Sequence, residues 1–528
     1  MKITRFLLLI LLLTVSAQLY SMPPHPDVVD QYQKNGQLKS LMNRVESQNI
    51  KTNMNLPLKS FPAAGTMRVP VLLVNFAVPY QASSELIFYK RFFNHDNLPL
   101  QGLLILFIVS LFVLYRNSSK LNMIYLKPLI PVYLFIIAFA VSCGVPPEED
   151  QSDTFPTDTS VYSQILNGST LSVKKFYQDM SQGNLNLTFD IYGPVTVSRS
   201  WDYYGENDGA GDDLHPRELV SDALRLLVSR YSSVDFSVYD NDADSLIDAV
   251  IIIHQGPGEE VASVDSLIWS HQSDLASSVS TGDGVSFDVY TMQPEYTNTP
   301  GDSSMGVFAH EFGHVLGLPD LYDTDNATDG AGNWTLMAGG AWMGPGGSSS
   351  GTTPAPLLAW ERFKLGGTDW VTITPIAADV TNNSIADIET TPRTAFKVTL
   401  DSGTDQYLLI EGKVQSSSTG WYIPGTGILI SHIHGNVISS YTSTNRVNAG
   451  LSGLRVHGVN IIEADGATDL WTPLGDRGAA DDLFTTGSYA AVKYGDETIG
   501  SAVSATVSIY NISVTPSPLA MDFDVDVL

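Results

Sequence analysis

Hydrophobic and polar positions along this chain fall into three textures. The first 150 residues hold three apolar runs, Phe6–Val15, Gly102–Tyr115 and Met123–Gly144. From Thr154 the pattern becomes that of a packed α/β fold. "SVKKFYQDMSQG" has helical spacing, with Ser172 as its N-cap and Gly183 as its stop. "NLNLTFDIYG" alternates as a half-buried strand does. "HPRELVSDALRLLVSRY" predicts a helix with Leu219, Ala223, Leu226 and Leu227 on one face, and "AVIIIHQG" a fully buried strand ending in a Gly-Pro-Gly loop. The Gly- and Ser-rich stretch from Ala338 to Gly351 predicts a long surface loop. After Trp370 short strand candidates dominate: "AFKVTLDS", "QYLLIEGKV", "GILISHIHG", "VNIIEADG", "ATVSIYNISV" and "MDFDVDVL".

The apolar runs bear on export. Lys2 and Arg5 precede Phe6–Val15, small residues follow at Val15–Ala17, and the run is too short for a comfortable membrane span, so residues 1–21 are expected to be a secretory signal. The third run ends Ala140-Val141-Ser142-Cys143 and resembles a bacterial lipoprotein signal, which implies lipidation of Cys143 and a polar tether after it. The alternative is a membrane hairpin formed by the hydrophobic segments within 102–142, flanked by Arg116, Lys120 and Lys127. Either would attach the protein to a membrane.

Charge and cysteine content narrow the class. A net charge of −28 lacks the basic footprint that phosphate binding needs, so no nucleic-acid partner is expected. One cysteine excludes an internal disulfide framework and suits a bacterial secreted or envelope protein.

The chemistry is concentrated in "VFAHEFGHVLGLPDLYD", Val307–Asp323. On a helix His310 and His314 are one turn apart and share a face, so both imidazoles can reach one zinc ion. Glu311 is placed to take a proton from a metal-bound water. The helix should stop at Gly317, and Pro319 cannot continue it. Asp320 then completes H-E-x-x-H-x-x-G-x-x-D, analogous to the metzincin pattern, as the third ligand. Glu361 in "LLAWERF" is the alternative third ligand, in a thermolysin-like arrangement. Met337 in "NWTLMAGG" stands where metzincins carry a Met-turn, although an ordinary core methionine fits it too.

"DNDADSLID" spaces Asp240, Asp242, Asp244 and Asp248 as a calcium loop does, with Ser245 where a turn glycine is usual. A second acidic group comprises Glu463, Asp465, Asp476, Asp481 and Asp482. His254, His271, His432, His434 and His457 have structural roles as their default.

These pieces, with "MPPHPDV", "VPVLLVNF", "FYQDMSQGNL", "VDFSVYDNDADSLID", "IIIHQGPGEE", "IWSH", "YLLIEGK" and "GWYIPGTGILISHI", resemble the immune inhibitor A family of secreted bacterial zinc metallopeptidases over most of residues 22–80 and 155–528. The resemblance implies an α+β protein, with a zincin/metzincin-like catalytic domain followed by a β-rich, sandwich-like C-terminal domain. It implies an endopeptidase acting on protein or peptide substrates, with zinc on His310, His314 and Asp320 and Glu311 as general base. Calcium is the second cofactor expected. The organisation expected is a signal peptide (1–21), an N-terminal segment with the first catalytic strand (22–80), a hydrophobic insertion (81–149), the catalytic domain (150–370) and the β-rich domain (371–528). The competing class is a catalytically inactive, calcium-binding surface lipoprotein, against which the intact Glu311 argues.

Overall fold

A computed structural model describes residues 20–34, 64–77 and 159–527, apart from 209–211, 262–263, 265, 298–301, 325–326, 349, 391–392, 416–419, 450–455, 473–474, 492–506 and 517–518. Residues 1–19 of the expected signal peptide, the hydrophobic insertion and Cys143 lie outside the described residues, which together fall in one compact unit; Tyr20 and Ser21, the last two residues of that expected signal, are part of the folded sheet.

The first half begins with β1 (Tyr20–Ser21), α1 (Pro26–Lys34) and β2 (Gly65–Asn75). It continues through α2 (Ser160–Asn167), α3 (Val173–Met180), β3 (Leu185–Thr196), α4 (Trp201–Tyr204) and α5 (Pro216–Arg230). Then come β4 (Leu246–Ile247), β5 (Val250–Pro257), β6 (His271–Ser280), β7 (Ser286–Tyr296), α6 (Met305–Val315) and α7 (Ala359–Gly366). The strands form one sheet in the order β1-β6-β7-β5-β2-β3, with β4 beside β7. Strands β3, β2, β5 and β7 are parallel, whereas β6 runs antiparallel to β7 and β1 antiparallel to β6.

Strand β2 shows why its sequence is almost continuously apolar. Successive side chains of a strand point to opposite faces, and both faces here are covered. Val69, Val71 and Leu73 join the core that contains Phe176 and Tyr177 of α3 and Phe308 and Phe312 of α6. Leu72 and Val74 join a second core with Leu219, Ala223 and Leu227 of α5. A strand buried on both sides loses the polar alternation of a half-exposed one. Helix α3 starts as its sequence predicts, with the Ser172 hydroxyl accepting from the Lys175 N–H at 3.1 Å.

Two expectations need correction. Leu226 is 39% exposed, while Val220 and Leu224 fill the α5 stripe. Leu226 falls at the edge of the arc defined by Leu219, Ala223 and Leu227, so solvent rather than the sheet meets it. The stretch 338–351 is a surface loop only in part. Gly339–Trp342 forms a 3₁₀ turn with Ala341 and Trp342 buried, and Gly306 of α6 allows it to approach that helix closely. A Cβ at Gly306 would lie 1.9 Å from the Ala341 carbonyl oxygen.

The second half comprises β8 (Thr372–Ile376), β9 (Val380–Ile385), β10 (Thr394–Asp401), β11 (Gln406–Lys413), β12 (Gly427–His434), α8 (Gly435–Tyr441), β13 (Val459–Ile462), β14 (Thr486–Ala491), β15 (Val507–Pro516) and β16 (Leu519–Val527). One sheet has the order β13-β12-β11-β10-β8 and the other β14-β15-β16-β9. Leu408, Ile410, Ile428 and Ile430 share a core with Ile509, Phe523 and Val525 of the other sheet. The alternate residues Leu409, Leu429 and Ile433 face the other way, into the core beneath α3 and α6. The β-rich half is therefore packed directly under the elements that carry the histidines.

Candidate metal centre

Every residue of α6 is buried. Leu316 caps it, and Gly317 at φ 103° turns the chain, its N–H donating to the His314 carbonyl at 2.9 Å. Only glycine adopts that conformation without strain. Pro319 follows, and Asp320 comes back beneath the helix. The turn brings Asp320 Oδ1 to 3.1 Å from His310 Nε2 and 3.3 Å from His314 Nε2, and the two Nε2 atoms are 3.1 Å apart. A tetrahedral ion with bonds of about 2.0–2.1 Å holds its ligands about 3.3 Å from one another, so the three atoms fit zinc.

Hydrogen bonding settles what these atoms offer. His310 Nδ1 lies 2.9 Å from the Leu336 carbonyl and His314 Nδ1 2.8 Å from the Leu318 carbonyl. A carbonyl only accepts, so each Nδ1 carries the hydrogen and each ring turns its Nε2 inward. Two ring nitrogens and a carboxylate oxygen thus converge in a place fully shielded from solvent, an arrangement that a bound cation would stabilise. Burial lowers the His314 ring below the usual histidine range, against the pull of Asp320. Burial opposes the charge of Asp320 as well, but the adjoining imidazoles outweigh it and hold the carboxyl at about 2.

The floor of the site is equally specific. Met337 is fully buried, and a Cβ at Gly313 would lie 2.6 Å from its sulfur, so the methionine packs directly against the helix turn between the histidines. Its carbonyl accepts from the Leu321 N–H at 2.7 Å, next to Asp320. Tyr177 donates to the Ala309 carbonyl at 2.6 Å. Glu361 is not beside the histidines. Its carboxylate accepts from the Thr335 hydroxyl and the Leu358 N–H, both at 2.6 Å, which braces the turn carrying Leu336 and Met337 and caps α7. It supports the site from below and is excluded as the third ligand.

Glu311 is buried, and burial together with Asp320 and Glu260 pushes its carboxyl well above the usual range, with the Met22 N–H as the opposing influence. Met22 belongs to the N-terminal segment, which lies along β6. Tyr20 and Ser21 pair with Gln272 and His271, Trp269 Nε1 donates to the Met22 carbonyl at 2.9 Å, and Trp342 Nε1 to that of Pro23 at 3.0 Å. An extended peptide adds to a free strand edge in this manner. Here the chain's own residues 20–25 occupy the edge next to Glu311.

Elsewhere the aspartates of the calcium-like loop are only partly brought together. Oxygens of Asp240, Asp242 and Asp244 lie within 4.8 Å of one another. Asp248 stands outside that group, buried and accepting from the Asn241 N–H at 3.2 Å, because β4 draws it under the loop. Of the second acidic group, Glu463, Asp465 and Asp482 are assembled within the same limit. His271 bridges the Trp269 carbonyl (2.7 Å) and the Tyr290 hydroxyl (3.0 Å), and His457 stacks on Trp471, which are structural roles.

Two residues of the β-rich half, Asn445 and Asn448, also reach the ligand loop. The sequence carries no signal for them, since each is a turn asparagine far from the motif.

A helix presenting two histidines, with a glutamate between them and an aspartate after a glycine turn, is a candidate metal centre. Comparison with known proteins agrees: residues 151–371 match the immune inhibitor A peptidase M6 catalytic domain. The chain is 32% identical over 242 residues to immune inhibitor A of Bacillus thuringiensis subsp. alesti, covering 40% of this chain and 34% of that protein. It is 31% identical over 217 residues to the pre-pro-metalloprotease PrtV of Vibrio cholerae serotype O1 (strain M66-2), covering 36% and 23%. The chain thus spans about a third of the length of the first relative and less than a quarter of the second.

Proposed function

We propose that this protein is a zinc-dependent endopeptidase with a metzincin-like catalytic half, its β-rich half forming a sandwich that supports the site. The observation that carries this reading is the convergence of His310 Nε2, His314 Nε2 and Asp320 Oδ1 within 3.3 Å, with both Nδ1 hydrogens committed to carbonyls. Bound zinc would supply Lewis acidity, lowering the pKa of a coordinated water towards about 7 and polarising a peptide carbonyl. Glu311 would accept the proton of the attacking water and pass it to the departing amine. The β6 edge would hold the substrate main chain in extended form once residues 20–25 are displaced.

The protein would be exported by residues 1–21 and act outside the cytoplasm on proteins or peptides. Processing at Cys143 does not fit the fold, because it would separate β2 from the sheet in which it joins β5 to β3. Among the described residues no helix is long and apolar enough to cross a membrane. Calcium on Asp240, Asp242 and Asp244 would be a stabilising ion remote from the chemistry.

The Glu311→Gln variant tests the assignment. It should lose at least ~100-fold in casein hydrolysis, the low end of what a general acid–base contributes, while keeping its zinc. Cleavage at the wild-type rate would remove Glu311 from the mechanism.

A further inference from the structure

Asp320 is held by a residue from the other half of the protein. Its N–H donates to Asn445 Oδ1 at 2.8 Å, and Asn445 Nδ2 donates back to Asp320 Oδ2. Both side chains are fully buried. One carboxamide therefore grips the main chain and the carboxylate of the same residue, fixing the position of Asp320 and the rotation of its carboxyl group. With Oδ2 engaged, Oδ1 is the oxygen turned to the two histidines.

Asn445 is built for this place. It ends the 3₁₀ turn Thr442–Thr444 at φ 52°, a left-handed conformation that asparagine tolerates better than other side-chain-bearing residues. Its N–H is spent on the Thr442 carbonyl at 3.1 Å, leaving the carboxamide free to face the loop. Next to it Asn448 donates to the carbonyls of Leu321 and Val459, each at 2.8 Å, and accepts from the Val459 N–H at 3.0 Å, tying the ligand loop to β13. The two asparagines do different work: Asn448 holds the loop, whereas Asn445 contacts the ligand itself.

We propose that Asn445 is a positioning residue of the metal centre, through which the β-rich half sets how the third ligand meets the metal. By occupying Oδ2 it keeps Asp320 a one-oxygen ligand and leaves room at the metal for water or substrate. The inference rests on the zinc reading above. It means that residues 151–371 alone do not make a complete centre, because the carboxyl group would be free to turn and to bind through both oxygens.

The test uses full-length protein carrying Asn445→Gly, Asn445→Asp or Asn448→Ala. Glycine preserves the left-handed backbone and removes the whole grip. Aspartate keeps that backbone and an acceptor for the Asp320 N–H but lacks the Nδ2 donor, so it guards against a glycine variant that does not fold. Chelator competition should show zinc held 10–100-fold more weakly in both Asn445 variants, the usual cost of losing a partner of a metal ligand. The cobalt-substituted protein should show a changed visible spectrum, its absorption weakened as the coordination number rises. Asn448→Ala should lower the melting temperature and leave the spectrum as in wild type. Wild-type zinc affinity and an unchanged cobalt spectrum in both Asn445 variants would overturn the proposal, whatever happens to their melting temperatures. A wild-type protein that takes up neither zinc nor cobalt would instead overturn the zinc reading and the proposal with it.

Discussion

Removing residues 1–143, which a mature chain beginning at the lipoprotein-like cysteine would lack, should abolish folding. Strand β2 would go with them. Six of its side chains, Met67, Val69, Val71, Leu72, Leu73 and Val74, are 3% exposed or less. At about 1.5–3 kcal/mol for each large apolar side chain fully buried, their burial contributes roughly 9–18 kcal/mol. Allowing for residual burial in the unfolded chain trims that figure without changing its order. The whole stability of a domain is about 5–15 kcal/mol. The loss also unpairs β3 along Gly65–Asn75 and β5 along Val71–Val74, exposing main-chain groups in the middle of a sheet. Far-UV circular dichroism and urea unfolding of residues 144–528 against the full chain would check this. No cooperative transition is expected for the shorter chain. A graded version is Leu73→Ala in the full chain, which should cost about 2–5 kcal/mol. A sharp urea transition for residues 144–528, at or near the wild-type midpoint, would refute the reasoning and return Cys143 to consideration as the mature N-terminus.

Three further outcomes are expected. Gly306→Ala drives a Cβ to 1.9 Å from the Ala341 carbonyl oxygen. Overpacking of about 1–3 kcal/mol or more should exceed the ~1 kcal/mol gained in helix propensity and lower the urea midpoint; an unchanged midpoint would show that the Gly339–Trp342 turn can retreat. Burial, aided by neighbouring carboxylates, raises Glu463 to about 7 and Asp482 to about 6 in the folded protein. The native state therefore binds protons more tightly than the unfolded one, so this cluster should favour folding below about pH 4 and lose that contribution as pH rises to 7; Asp482→Asn should flatten the decline in melting temperature over that range, and an unaltered profile would contradict it. Calcium should raise the melting temperature of wild type but not of an Asp240→Ala/Asp242→Ala double variant, and identical melts in calcium and chelator would dismiss the loop as a site.

The metal centre was the most legible feature of the sequence, because its residues are local. A helix fixes His310 and His314 one turn apart, and Gly317 with Pro319 leaves Asp320 few places to go. Strand β5 was legible for a related reason: burial on both faces writes an unbroken apolar run, whereas β2 entered only through the family resemblance. Strand β6 was not legible, since it begins His271-Gln272-Ser273, polar residues buried under β1 and satisfied by neighbours such as Tyr290. Glu361 illustrates the limit of spacing as a guide, for a glutamate shortly after a metal motif can brace the site as readily as ligate in it. Asn445 was invisible because its partner is 125 residues away and its type announces only a turn. The Gly-Ser stretch after Met337 was misleading because part of it is packed inside: Ala341 lies against Gly306 of α6, and Gly340 against the Thr335 carbonyl and Ala355.

Metal analysis of the purified full-length protein, beside Glu311→Gln and His314→Ala, bears most directly on the three-ligand centre. One equivalent of zinc is expected in wild type and in Glu311→Gln, with little or none in His314→Ala. Folded wild-type protein without zinc, or zinc undiminished in His314→Ala, would contradict it.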